Sequence, residues 1–279
     1  MLDILQYLRP PIVAAVLYAV LGGYFWLTRW PRSGKPIDPA PMQALERMLI
    51  AIPLFFHGLS LYGAVFSDGG LRFSFSLAIS LTLWLTALIY WLDGFRSHMN
   101  GMQPIVLPLA ALSAVFPVFF AQTHEIVHTN AWGFKLHFLT AMLAYSLCAL
   151  SALHAVFMGV IERQLHHKFL TSRQTGLPSI LSMETLLFRM IGLAFLLLTL
   201  AVISGLLFSE EIFGRALVFN HKTFFALISW GVFAVLLFGH RFYGWRGRTA
   251  IRWTLAGFFL LVLAYIGSRF VLEVLLGRI

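Results

Sequence analysis

The chain has 279 residues, of which 59% are hydrophobic and only 11% charged, and its mean hydropathy is +0.84. Soluble domains carry roughly a quarter charged residues, so this composition excludes a soluble globular enzyme and predicts an integral membrane protein. The formal charge of +9 comes from basic residues that are scattered among the apolar runs instead of forming a cluster, which argues against a nucleic-acid partner.

Eight apolar runs, each long enough to cross a bilayer or nearly so, predict eight transmembrane helices. In chain order they cover residues 11–28, 48–66, 71–92, 104–121, 132–160, 185–208, 221–240 and 253–276. The predicted fold is an all-α polytopic membrane helix bundle, with residues 1–279 as a single membrane domain and no soluble domain. Positive residues follow the first run and do not precede it, so we expect that run to stay as a helix instead of being cleaved as a signal peptide.

The Lys and Arg residues of the connections predict how the bundle lies in a bacterial-type inner membrane. Of the 20 basic residues, 13 fall on one side of the bilayer when the eight runs alternate in direction. Cytoplasmic loops retain the excess of positive charge, so this side is predicted to be cytoplasmic. Both termini are then expected on the outer side.

Histidine is the residue type that this sequence offers for chemistry inside the bilayer. The single Cys148 excludes multi-thiolate metal and iron–sulfur sites. Carboxylates lie almost entirely at predicted helix ends or in connections, so a chain of buried acids for ion or solute transport is missing. The ten histidines therefore deserve the closest inspection.

Five histidines form two tiers in the predicted helices. His57, His154 and His240 lie in the inner half, whereas His137 and His221 lie at the outer face. Neutral imidazoles on facing helices are what a haem iron with two axial histidines needs, so these residues are the candidate haem ligands and haem b the candidate cofactor. A histidine in a membrane helix can also simply hydrogen-bond a neighbouring helix, and this alternative stays open, above all for His154.

The remaining histidines are expected to lie outside the bilayer. His98, His166 and His167 fall in predicted cytoplasmic connections, where solvation is the simplest interpretation. His124 and His128 belong to the segment HEIVH, which matches the zinc-protease spacing H-E-x-x-H. That motif needs a helix and a third ligand, and this loop offers neither, so no catalytic residue and no enzyme activity are predicted.

The segment Phe213–His240 resembles the CcsA-like cytochrome c assembly family. That family carries the tryptophan-rich motif W-G-x-x-W-x-W-D-P-K-E, which is followed by a helix ending in histidine. In this sequence the motif positions that matter are occupied by Phe213, Gly214, Leu217, Phe219, Asn220, His221 and Lys222. The segment KLHFLTAMLAYSLCALSALHAV resembles the family's outer histidine helix, with His137 in the ligand position, and the likeness covers roughly residues 40–275.

The resemblance implies a protein that handles haem. It assigns His57 and His240 to an inner ligand pair and His137 to an outer ligand. The three motif tryptophans and the late outer histidine of the family are absent, and we infer that His221 supplies the missing outer ligand. With these departures, the sequence most resembles the short inner-membrane subgroup of the family, the YpjD- or HemX-like proteins.

Helix rise alone leaves the partner of His57 open. At 1.5 Å per residue, His57 and His240 lie about 12 Å apart along the membrane normal, whereas His57 and His154 are nearly level. His240 is preferred on the resemblance, and His154 remains the rival on depth.

The expected function is therefore haem binding in the inner membrane, with transport or presentation of haem for cytochrome c-type biogenesis. Lipid, haem and the proteins of cytochrome c maturation or other inner-membrane proteins are the expected partners, and Lys135 and Lys222 are placed to pair with haem propionates. The alternative is a non-catalytic membrane partner that regulates haem synthesis or supports another membrane complex, which the missing tryptophans favour.

Overall fold

The computed structural model of the chain describes residues 2–30, 42–65, 72–96, 99, 101–120, 124–125, 132–168, 180–213 and 221–264. Within these ranges the chain forms eight helices and two strands of two residues each. The helices are α1 (Leu2–Thr28), α2 (Ala44–Val65), α3 (Phe75–Asp93), α4 (Gln103–Phe119), α5 (Trp132–Lys168), α6 (Ile180–Phe213), α7 (His221–Tyr243) and α8 (Gly247–Val262). The strands are β1 (Arg72–Phe73) and β2 (His124–Glu125), which pair in antiparallel fashion.

The predicted polytopic membrane helix bundle is confirmed. Six of the described helices contain a segment long and apolar enough to cross a membrane, namely Pro10–Thr28, Ala44–Val65, Phe75–Asp93, Trp132–Arg163, Ile180–Leu207 and Lys222–Tyr243. Helix α4 is also apolar, but it has only 17 residues. The described part of the last predicted span is α8, with 16 residues, and the stretch 265–276 of that prediction lies outside the described residues.

Several helices are longer than the apolar runs that predicted them. α1 begins at Leu2 and carries Pro10 and Pro11 inside it, although the run starts at residue 11. α5 continues to Lys168, so Glu162 lies in a helix and not in the connection where we expected it. An apolar run reports the thickness of the hydrocarbon, whereas a helix continues into the polar interface until its own end signals stop it.

The eight helices pack as two groups of four consecutive helices. In the N-terminal group, α1 packs against α2 and α4, and α3 packs against the same two helices. In the C-terminal group, α5 and α7 each pack against α6 and α8. The contact between α3 and α5 joins the groups.

Small residues allow close helix approach within each group, as is common where lipid and helix are equally apolar. A Cβ atom at Gly22 would lie 3.0 Å from the Pro108 ring, between α1 and α4. In the C-terminal group, a Cβ atom at Gly257 would lie 2.9 Å from the Phe233 ring, between α8 and α7.

Ionic contacts lie at one end of the bundle, and the strand pair lies at the other. Arg29 Nη2 donates to both carboxylate oxygens of Glu46 at 2.7 Å, which ties the end of α1 to the start of α2. Arg248 Nε donates to Glu162 Oε1 at 3.0 Å, which ties α8 to α5. Both contacts are on the side that carries the predicted excess of Lys and Arg.

Candidate functional site

His57 lies inside the N-terminal group, where α1, α2 and α3 meet. Its ring is only 1% exposed, and its Nε2 atom is 2.9 Å from the Ser80 hydroxyl oxygen on α3. The Tyr18 ring on α1 packs edge-on against it, with the ring centroids 5.9 Å apart. The Nδ1 atom is buried and has no hydrogen-bond partner among the described residues. The imidazole therefore faces protein, with one ring nitrogen unused.

The residue after His57 explains how α2 and α3 approach so closely. A Cβ atom at Gly58 would lie 2.8 Å from the Trp84 ring, so this contact depends on glycine. The Trp84 Nε1–H donates to the Leu54 carbonyl oxygen at 2.9 Å and holds the indole against α2. Glycine and tryptophan together set the distance at which Ser80 reaches the imidazole.

His137, near the start of α5, has its tautomer fixed by a relay of two hydrogen bonds. Its Nδ1 atom is 2.9 Å from the Ser204 hydroxyl oxygen, and that hydroxyl donates to the Ala201 carbonyl oxygen at 3.1 Å. Because the Ser204 proton is committed, His137 donates from Nδ1. Its Nε2 atom then carries a free lone pair in the neutral ring. The ring rests on α6, where a Cβ atom at Gly205 would lie 3.1 Å from it.

His154 lies on the same helix, 17 residues further on, so the two rings are about 26 Å apart along the axis of α5. The ring is 1% exposed, and its Nε2 atom is 3.1 Å from the Met183 carbonyl oxygen. A carbonyl oxygen can only accept, so Nε2 carries the proton and Nδ1 the lone pair. That Nδ1 atom is buried without a partner among the described residues.

His240 is near the end of α7 and is held by the turn into α8. Its Nδ1–H donates to the Trp245 carbonyl oxygen at 3.0 Å, which leaves the lone pair on Nε2. The ring stacks on Phe188 of α6, with the centroids 3.5 Å apart. His240 is therefore fixed on one face by an aromatic ring and at one nitrogen by the main chain.

Three glycines build that turn. Gly244 and Gly247 have φ angles of +65° and +54°, a conformation that side chains with a Cβ atom rarely adopt. Gly239 leaves room for the Trp245 ring, which a Cβ atom there would overlap. The Gly247 N–H donates to the Glu184 carboxylate at 2.6 Å, so α6 anchors the turn that positions His240.

A cavity of about 320 Å³ opens beside His240, between α6, the end of α7 and the turn. It is lined by Leu181, Glu184, Thr185, Phe188, Arg189, His240 and Arg246. Its lining combines apolar residues with two arginines, a glutamate and a histidine. Concave sites of this size with a few convergent polar groups are typical of small-molecule binding.

Three of the histidines share a hydrogen-bond pattern that also occurs in metal-ligating histidines. A ligating histidine usually donates its second ring N–H to a carbonyl or another oxygen, which fixes the ring and leaves the other nitrogen for the metal. His137, His154 and His240 each show this pattern. In the described parts of the chain, no group of three or more His, Cys, Asp or Glu side chains is placed to hold a metal ion, so any metal bound here would take few ligands from the protein.

The structure separates the inner histidines among different helix interfaces. Within the described residues, the helices packed extensively on α2 are α1 and α3, and they carry neither His154 nor His240. Met183, which binds His154, and Phe188, which stacks on His240, differ by about 140° around α6. His154 and His240 therefore contact α6 from different sides.

Some expected site residues lie outside what the structure describes. His221 opens α7, but its side chain is not among the described ones, and the same holds for His124. His128 is outside the described residues altogether. The backbone at His124–Glu125 is a strand, which does not fit the helix that a zinc-protease motif requires.

Sequence reasoning missed the residues around the cavity. Arg189 and Arg246 are only two of the basic residues that predict the orientation of the bundle. Glu184 was expected at a helix end, whereas it is 8% exposed in the second turn of α6. The run GHRFYGWRGR, with three glycines around an aromatic residue after a histidine, was the available signal for a built turn.

The fold defines a polytopic membrane helix bundle in which imidazoles are held between the helices. Comparison with known families is specific: the family described as cytochrome C assembly protein matches residues 45–276. The chain belongs to this family, which confirms the resemblance seen in the sequence.

Three relatives illustrate the match. The chain is 29% identical over 227 residues to inner membrane protein YpjD of Escherichia coli strain K12, covering 80% of this chain and 85% of the relative. It is 26% identical over 224 residues to cytochrome c biogenesis protein CcsA of Heterosigma akashiwo, covering 67% and 69%. It is 35% identical over 102 residues to the CcsA protein of a Picosynechococcus strain, covering 35% and 30%. No solved structure matches the chain at a significant level.

Proposed function

We propose that this protein binds haem in the bacterial inner membrane and transports or presents it during cytochrome c-type biogenesis. Its family and the names of its relatives support this role. The observation that carries the proposal is the state of the imidazoles in the membrane helices. Three of them donate one N–H to a protein oxygen and keep a lone pair on the other nitrogen.

The residues present suit haem as cargo. The buried Nδ1 atoms of His57 and His154 have no partner among the described residues, and a buried polar atom in that state costs about 1–3 kcal/mol unless something binds it. We assign His57 and His240 to inner ligation, with His154 as the rival partner, and His137 and His221 to outer ligation. Haem b supplies the iron chemistry, and the chain ligates, orients and shields it, without acting as an enzyme.

The helix contacts described above do not by themselves bring His57 and His240 together. His57 and His240 lie in different helix groups, so a shared haem would span the junction between the groups or be passed from one histidine to the other. Lys135 and Lys222 at the outer ends of α5 and α7 are assigned to propionate pairing. The end of the bundle with the Arg29–Glu46 and Arg248–Glu162 contacts is assigned to the cytoplasm, with both termini outside.

The test is the visible spectrum of protein purified from haem-replete cells. We expect a Soret band that weakens in His57→Ala and His240→Ala for the inner ligands and in His137→Ala for an outer one. His166→Ala, the same change near the predicted cytoplasmic end of α5, is the matched control and should keep the band. A preparation without bound haem, unaffected by any of these changes, would reject the proposal.

A second candidate is a membrane partner that regulates haem synthesis or supports another membrane complex. The replacement of all three motif tryptophans by other residues favours it. It predicts that a second protein copurifies in fixed ratio. It also predicts that function in the cell survives removal of His57, His137, His154 and His240 together.

A further inference from the structure

The cavity beside His240 is positively charged. Arg189 on α6 and Arg246 on the turn into α8 both line it. Among the residues that the structure describes, neither arginine forms an ion pair. Arginine is the residue that recognises carboxylates and phosphates through paired N–H donors.

The acid in the same cavity does not neutralise these arginines by direct contact. Glu184 is 8% exposed and accepts the Gly247 N–H through Oε1 at 2.6 Å. Its carboxylate is used to hold the turn that carries the Trp245 carbonyl and, through it, His240. The cavity therefore has two cationic side chains and one carboxylate that is already hydrogen-bonded, so its net charge favours an anionic group of a ligand.

Arg189 is an exposed charged residue in an apolar part of α6. It is the tenth residue of α6, about 14 Å along the helix from Ile180, and it lies within the apolar segment Ile180–Leu207. A charged side chain within a membrane segment is costly and generally has a function or reaches back to the interface. Here it borders the cavity that also contains the accessible imidazole.

We propose that this cavity recognises a metal complex that carries its own carboxylates: Arg189 and Arg246 bind the carboxylates while His240 Nε2 binds the metal. An iron porphyrin with two propionates has this chemistry. The inference rests on the proposed function, since it takes haem as the cargo, and it adds how the inner end of the bundle selects that cargo. The aromatic ring of Phe188 and the side chain of Leu181 give the cavity its apolar surface.

The experiment compares two ligands that differ only in their carboxylates. Purified protein in nanodiscs of phosphatidylcholine is titrated with haem and with haem dimethyl ester, in which both carboxylates are blocked. The readout is the ratio of the two dissociation constants, which cancels much of the difference in lipid partition. We expect wild-type protein to prefer haem by about tenfold, the effect of about 1.4 kcal/mol.

The variant R189Q/R246Q should lower this ratio to about one, through weaker haem binding. Arg241→Gln is the matched control, because Arg241 is exposed on α7, lies over the Phe242 ring and does not line the cavity. Thermal unfolding of each variant shows whether it is folded. The wild-type comparison of the two ligands needs no variant and stands even if the double variant is unstable.

The outcomes separate this inference from the proposed function. Equal affinities for the two ligands, with binding still lost in His240→Ala, would overturn the arginine assignment and leave haem binding in place. Failure of wild-type protein to bind either ligand would overturn both. If the double variant changes haem binding only when phosphatidylglycerol is present, the arginines serve lipid phosphates and the inference is wrong.

Discussion

At the end of the bundle that carries the two described ion pairs, the two helix groups differ. In the N-terminal group, Arg29 binds both oxygens of Glu46, and the two side chains are only 6% and 13% exposed. In the C-terminal group, Arg248 donates to Glu162 through Nε at 3.0 Å, and the arginine is 67% exposed. The described cavity lies in this second group. A mostly buried ion pair closes the N-terminal group, whereas the C-terminal group has an exposed arginine and an open cavity at the same end of the bundle.

The groups also differ in how their buried polar atoms are satisfied. In the N-terminal group, Tyr18, Gln103 and His57 carry buried side-chain atoms without a hydrogen-bond partner among the described residues. In the described part of the C-terminal group, His154 alone does so. Buried polar atoms of this kind call for ordered water or a bound ligand. The N-terminal group thus has a mostly buried ion pair at its end and, in its interior, buried polar atoms without a described hydrogen-bond partner.

The largest expected loss of stability comes from breaking the Arg29–Glu46 ion pair. Glu46→Ala would remove the carboxylate that accepts from Arg29 Nη2 at both oxygens, and breaking a buried pair in this way costs about 3–5 kcal/mol. It also removes the bond from the Gln43 N–H to Glu46, which caps α2. Thermal unfolding in detergent measures the loss. The double change R29L/E46L should recover part of it, and equal losses in the single and double variants would contradict the argument.

A smaller effect is expected in the turn of the C-terminal group. In Gly239→Ala the new methyl group would overlap the Trp245 ring, so the turn must shift, at a cost of about 1–3 kcal/mol. His240 would lose its fixed tautomer with it, which nitrogen NMR of labelled histidine detects. Gly231→Ala on the same helix is the control, since a Cβ atom there meets nothing within 4 Å. Similar unfolding temperatures for the two variants would refute the proposed role of Gly239.

The smallest effect is expected for Arg248→Gln. The Arg248 side chain is mostly exposed, and exposed pairs contribute about 0–1 kcal/mol, less at high salt. Unfolding measured at low and high salt should show a small difference that salt removes. A loss as large as that of Glu46→Ala would erase the contrast between the two groups.

Much of the fold was readable from the sequence, because a run of about 20 apolar residues has one physical meaning in a membrane protein. The ends of α1 and α5 were not, since polar residues such as Glu162 continue a helix beyond the hydrocarbon. Which helices pack together was not readable either. Lipid and helix surfaces are equally apolar, so hydropathy carries no information about partners.

The candidate site divides in the same way. The depth of His57 and His154 in the membrane helices followed from counting residues, and both are buried in the structure. Their partners did not follow, because Ser80 and the Met183 carbonyl come from other helices. The support of His240 depends on a turn with two positive φ angles, which the glycines hint at but do not define.

The grouping of consecutive helices has a consequence for how the protein is made. Each set of four neighbours finds its contacts nearby along the chain, so α1 to α4 can assemble in the bilayer while the ribosome is still producing the rest. The α3–α5 contact and the pairing of β1 with β2 form only when α5 arrives. Assembly can therefore begin in the amino-terminal half, and α5 then packs against a group of four helices that has already formed.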